Sequence, residues 1–140
     1  MSRIFWDTNL FIYLFEDYGD LSRQVATLRG RMIDRGDQLF SSALTLGEVL
    51  VKPTEKGDEQ LKRSYLDALT RSATLIAFDR DAALHYVTIR RNRAIKAPDA
   101  IQLACAARAE IDLFITNDDR LKNSAVTGIQ FIVALKNALI

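Results

Sequence analysis

Apolar residues fall along the chain in two rhythms. Short runs rich in β-branched and aromatic residues, Arg3 to Trp6, Gln38 to Ser41, Thr74 to Phe78, Leu113 to Thr116 and Gln130 to Val133, read as strands. Most segments between them repeat apolar positions at steps of three and four. In "DLSRQVATLRGRMIDRG" Leu21, Val25, Leu28 and Met32 form one stripe and Gly36 follows as a stop, which predicts a helix from Asp20 to Asp34. Leu61, Tyr65 and Leu69 mark a second, which "KPTEKGDE" separates from an earlier short helix around "TLGEVLV". Asp79 or Asp81 caps a helix carrying Ala82, Tyr86 and Ile89, and Pro98 opens one that runs through Ala109. Strands alternating with helices across short connections predict a three-layer α/β domain built on a parallel sheet.

Composition narrows this without redirecting it. With 140 residues, 49% of them hydrophobic, the chain has the size of one domain and enough apolar material for a core without staples. The 19 Lys and Arg nearly cancel the 18 Asp and Glu, so a polyanion would have to be held locally rather than by net charge. A single Cys excludes an internal disulfide framework, and Cys105 with His85, the lone histidine, is too little for a structural zinc site. Asp7 interrupts any secretory apolar region, and the run from Leu10 to Phe15 is far short of the about 20 residues that span a bilayer. The expectation is a soluble, unprocessed protein of a reducing cytoplasm, with no membrane partner.

Two of the strands end on acids: "RIFWDTN" runs into Asp7 and "FITNDDR" into Asp118 and Asp119. In an open parallel sheet ligands bind beyond the carboxyl ends of the strands. Asp99 follows Pro98 at a helix start, and Glu48 lies on a short helix among apolar Leu46, Val49 and Leu50. Each has a local explanation. Glu48 is three residues after Thr45, the capping-box spacing; Asp99 suits a helix dipole; Asp7 and Asp118 suit turns. Together they are harder to explain locally, because two unit charges ~4 Å apart repel by about 4 kcal/mol at an effective dielectric of ~20. Such a cluster binds a cation or raises some of its pKa values. Oxygen donors alone select a hard ion, and Mg²⁺ accepts one or two carboxylates with water and a substrate phosphate. The chemistry this permits is metal-assisted attack on a phosphodiester.

The segments "FWDTNLFIY", "SALTLGEVL", "KAPDAIQLACA" and "FITNDDRL" resemble, in order and across nearly the whole chain, the four acidic motifs of PIN-domain ribonucleases, with VapC-type toxins of toxin-antitoxin pairs the nearest likeness. That resemblance implies a PIN-like three-layer α/β/α fold with a central parallel sheet of four or five strands, formed by residues 1–140 as one PIN domain. It implies a Mg²⁺- or Mn²⁺-dependent endoribonuclease, with Asp7, Glu48, Asp99 and Asp118 as metal-binding and catalytic residues and Thr8, Asn9, Thr116 and Asn117 orienting ligands or water. In "NDD" either Asp118 or Asp119 can supply the fourth carboxylate; Asp118 is assigned because it follows Thr-Asn directly, whereas Asp119 is placed to cap a following helix. The resemblance also implies a homodimer and a cognate antitoxin whose C-terminal segment blocks the site. Within the family the alternatives are a housekeeping RNA-processing nuclease and a catalytically inactive binding module.

Just before Asp99 stand Arg90, Arg91, Arg93 and Lys96, which read either as a solvated helix end or as a phosphate-binding group for RNA. Trp6 should face away from its neighbour Asp7 into a layer interface, His85 should be surface or packing, and Cys105 a small core residue. Tyr13 and Phe15 belong to the core or a dimer surface. A haloacid-dehalogenase-type phosphotransferase would need an acid where this chain has Asn9, and a receiver domain would need paired acids near the first strand; Lys136 is weak support for the latter.

Overall fold

All five expected strands form in the computed structural model, which describes residues 1–121 and 124–138. They are β1 (Arg3–Trp6), β2 (Gln38–Ser42), β3 (Thr74–Ile76), β4 (Ile111–Thr116) and β5 (Ile129–Ala134), joined in a parallel sheet of order β3-β2-β1-β4-β5. Phe5 of β1 lies in register with Phe40 of β2 and Phe114 of β4, and its ring stacks on that of Phe114 at 5.0 Å. The intervening helices are α1 (Thr8–Phe15), α2 (Asp20–Arg35), α3 (Ala43–Glu55), α4 (Glu59–Ser72), α5 (Arg80–Ile89) and α6 (Ala97–Arg108).

Alternation along β1 divides the core in two. Ile4 and Trp6 point into a layer with Leu10, Phe11, Val25 and Met32, whereas Phe5 joins Phe40, Ala82, Leu103 and Phe114 beneath α5 and α6. A central sheet sandwiched by α1 to α4 on one side and α5 and α6 on the other is a three-layer α/β/α fold. Trp6 is fully buried and tilts against Phe11, away from Asp7 as its strand position requires. Cys105 is buried in the second layer, where desolvation pushes its thiol up to about 11.

Strand order reverses at β1, whose successor β2 lies to one side and β4 to the other, so a crevice opens above its carboxyl end. The element boundaries depart from the sequence reading for local reasons. β3 ends at Ile76 because the chain then turns toward Asp79, which caps α5 by accepting from Ala82 N at 2.9 Å; Asp81 is not the cap. The α3–α4 break falls after Pro53, which stays inside α3; Gly57, with φ +67°, makes the turn and Asp58 caps α4. No described helix is long and apolar enough to cross a membrane.

Candidate active site

Asp7 is the first residue beyond β1 and the N-cap of α1, its own Oδ1 accepting from Thr8 N at 2.9 Å. Only 7% of the residue is exposed. Thr116, at the end of the adjacent β4, donates its hydroxyl to Asp7 Oδ2 at 2.8 Å, and Gln102 of α6 donates to Oδ1 at 3.2 Å. Burial raises the carboxyl above its ordinary range, those hydrogen bonds oppose the rise, and the charge of Glu48 adds to it.

Glu48 comes to Asp7 through Thr8, whose Oγ1 donates to Glu48 Oε1 at 2.6 Å. This replaces the capping-box alternative. Ser42 is the cap of α3, accepting from Thr45 N at 3.3 Å, and Glu48, one turn further on, reaches across to the start of α1. The Thr45 hydroxyl is likewise buried in the site, 2.9 Å from that of Thr8.

Asp99 lies in the first turn of α6, half-buried; burial raises its carboxyl, the charges of Asp7 and Asp118 raise it further, and Arg120 and Lys96 oppose them. Asp118 is gripped by a residue that no local pattern singles out. The Arg120 guanidinium donates Nε to Asp118 Oδ1 at 2.9 Å and Nη2 to Oδ2, holding that carboxyl below its ordinary range, and its Nη2 is also 3.6 Å from Asp99 Oδ2. Asp118 N donates to Thr116 Oγ1 at 3.0 Å, which anchors the strand end to the residue that holds Asp7. The charge of Asp118 acts on Asp99. No helix for Asp119 to cap follows among the described residues, which turn at 119–121 and run irregularly over 124–126.

The remaining expected residues divide. Thr8 and Thr116 are buried and touch the acids. Asn9 accepts from Asn117 N at 3.4 Å and Asn117 donates to Tyr13 OH at 3.0 Å, so this pair fastens the exit of β4 to α1. Of the basic group, the charge of Lys96 reaches Asp99 and Asp118. Arg90 instead donates to Tyr86 OH at 3.0 Å, and Arg91 lines a separate open cleft with His85, Asn92 and Ile95. Gln102 also escaped the sequence reading; a lone amide in an Ala-rich helix, one turn after Asp99, was the signal available.

Among the described residues no three His, Cys, Asp or Glu side chains converge closely enough to make a metal-ligand set by themselves. An all-oxygen set spread over Asp7, Glu48, Asp99 and Asp118 fits a hard ion that keeps most of its water and takes one or two carboxylates directly. It does not fit zinc or another ion that needs nitrogen or sulfur.

The PIN-domain family model matches residues 4–126. This chain belongs to the PIN-domain family. Comparison with curated proteins gave no match. Among solved structures the PIN fold is shared with the toxin-antitoxin complex from Klebsiella pneumoniae, at 26% identity and a TM-score of 0.62 over 91% of this chain and 95% of that one. It is shared with VapBC2 from Rickettsia felis bound to a DNA fragment from its promoter, at 17% identity and TM-score 0.70 over 94% and 97% of the two chains. VapBC-5 from Mycobacterium tuberculosis is similar at 17% identity and TM-score 0.61, over 94% and 98%.

Proposed function

We propose that this PIN-domain protein is a metal-dependent endoribonuclease and the toxin of a toxin-antitoxin pair, acting in the cytoplasm as a homodimer restrained by a cognate antitoxin. The observation that carries the enzymatic part is that Asp7, Asp99 and Asp118 lie around the strand-order switch near enough for the charges of Asp7 and Asp118 to act on Asp99, with Asp7 and Asp99 held above their ordinary pKa by burial and by neighbouring carboxylates. Carboxyls in that state favour a cation. The likeness to three structures described as toxin-antitoxin complexes or systems supports the partner, and the match over residues 4–126 supports treating residues 1–140 as one PIN domain.

In this reading Asp7, Glu48, Asp99 and Asp118 hold Mg²⁺ or Mn²⁺, which when bound supplies an activated water and polarises the phosphoryl oxygen. The chain's own groups do the rest. Thr116 and Thr8 fix the orientations of Asp7 and Glu48, and Lys96 stands beside the acids to receive an RNA phosphate, with Arg91 and Arg93 further out for the flanking strand. Arg90, committed to Tyr86, is the least available of the four basic residues.

The test is cleavage of RNA by the purified protein: activity with Mg²⁺ or Mn²⁺, none in chelator, and none for Asp7→Asn in either condition. Activity that survives rigorous metal removal overturns the reading. Asp7→Asn should remain folded, and the sign of its stability change is set by the pKa shift. Because burial holds Asp7 above the unfolded value of 3.8, the unfolded chain releases its proton first as pH rises. That favours unfolding, an effect absent below 3.8 and complete above the folded pKa. The metal-free variant should therefore melt at or above the parent at pH 7, and the difference should shrink as pH falls toward 4.

A further inference from the structure

Gln102 is 2% exposed on α6, and its amide sits where that helix meets the starts of α1 and α3. Nε2 lies 2.7 Å from Thr45 Oγ1, 3.0 Å from Thr8 Oγ1 and 3.2 Å from Asp7 Oδ1, while Oε1 accepts from Ser42 Oγ. The orientation of the amide follows from its neighbours. A reversed amide would set its carbonyl oxygen against the Asp7 carboxylate and its NH₂ against Ser42, removing the two N–H donors that face Thr45, Thr8 and Asp7.

Proton counting gives the cluster a direction. A carboxylate only accepts, so the single hydroxyl proton of Thr8 is committed to Glu48 Oε1. Thr8 Oγ1 is then an acceptor, and the Gln102 amide donates to it from α6 beside the Thr45 hydroxyl. One side chain thus touches Asp7 directly and Glu48 through Thr8, from the same helix that carries Asp99 one turn earlier.

We propose that Gln102 is a positioning residue that sets the mutual placement of Asp7, Glu48 and Asp99 for metal binding. This rests on the reading of those acids as metal ligands. Gln102 itself contacts neither ion nor substrate; its two N–H groups and one carbonyl fasten α6, the start of α1 and the start of α3 together. Groups that orient ligating carboxylates in this way alter metal affinity by about 10- to 100-fold when removed.

The experiment is Mn²⁺ titration of the full chain by calorimetry, with thermal melts alongside, on the parent, Gln102→Met, Gln102→Asn and Cys105→Ala. Met has the length and shape of Gln without its polar atoms; Asn keeps the amide but withdraws it by one methylene. The expected result is a dissociation constant weakened by about ten-fold or more in both Gln102 variants. Cys105→Ala, on the same helix but outside the cluster, should lower the melting temperature and leave the constant unchanged. If Gln102→Met does not fold, Gln102→Asn decides. Parent-like Mn²⁺ affinity in whichever Gln102 variant folds reduces the residue to packing and overturns the proposal. Absence of Mn²⁺ binding by the parent is a different failure, since it removes the metal reading on which the proposal stands.

Discussion

Arg120 and Gln102 are opposite ways for one side chain to act on a cluster of acids. Gln102 is neutral and buried and orients its neighbours; Arg120 is charged and exposed and neutralises them. A guanidinium on Asp118 and 3.6 Å from Asp99 occupies the same acids that a divalent ion would use, so the two cations compete. Arg120→Gln should accordingly tighten Mn²⁺ binding, by about two- to five-fold for so exposed a pair, and the gain should fade at high salt. Titration calorimetry at two ionic strengths measures both effects; weaker binding in the variant would show that Arg120 helps to build the site instead of competing for it. Neither residue is conspicuous in the sequence. The four acids are, because each sits at a strand or helix end that its own neighbours announce. Gln102 is 95 residues from Asp7, and its role exists only once α6 has packed beside β1. Arg120 is close in sequence to Asp118, yet nothing local indicates that its guanidinium turns back toward Asp99.

Among the elements, α6 is held from both ends. Its first turn presents Asp99, and its last turn receives Gly128, the residue immediately before β5. Gly128 has φ +100°, and a Cβ there would stand 2.8 Å from Ala107 O and 3.1 Å from Ala107 Cα, backbone atoms that cannot rotate away. Gly128→Ala should therefore cost about 2–3 kcal/mol, strain and steric displacement together, read as a lower denaturation midpoint. Mn²⁺ affinity of the folded variant should stay at the parent value, because the clash is at the far end of the helix. The strands and most helix limits are readable from periodicity and caps. The misplaced limits, at Phe78 and around Pro53, are those where a chain reversal or an early proline depends on packing outside the segment. The cap of α3 is not readable either: the Thr45–Glu48 spacing suggests Thr45, whereas Ser42 accepts from Thr45 N and the Thr45 hydroxyl is buried beside Thr8.

For the molecule as a whole, a net charge of +1 means that attraction for the proposed RNA substrate is a matter of placement. Lys96 stands beside the acids, and Arg93 is exposed in the same connection between α5 and α6. Replacing both by alanine should weaken RNA binding and reduce the slope of log affinity against log salt by up to about 1.4, roughly 0.7 for each single-strand phosphate no longer neutralised. Filter binding at several salt concentrations gives the slope; an unchanged value returns these residues to the role of a solvated helix end. The overall likeness to PIN domains is legible because the motifs are separated by whole structural elements, each with its own pattern. The crevice that unites them is less so, since it is a property of strand order.

The single thiol of the chain lies three residues beyond Gln102 on α6, buried in the second layer of the core. Two barriers stand between Cys105 and any electrophile: burial excludes the reagent, and a pKa of about 11 leaves only a trace of thiolate at neutral pH. In the native state it is chemically silent. Modification must wait for α6 to lift from the sheet, a movement that also carries Asp99 and the Gln102 amide out of place. The protein therefore contains its own stopwatch. The rate at which Cys105 becomes alkylated counts the openings that dismantle the acidic centre, and anything that seals the centre, whether an ion at the front or a partner laid across it, will slow the hand.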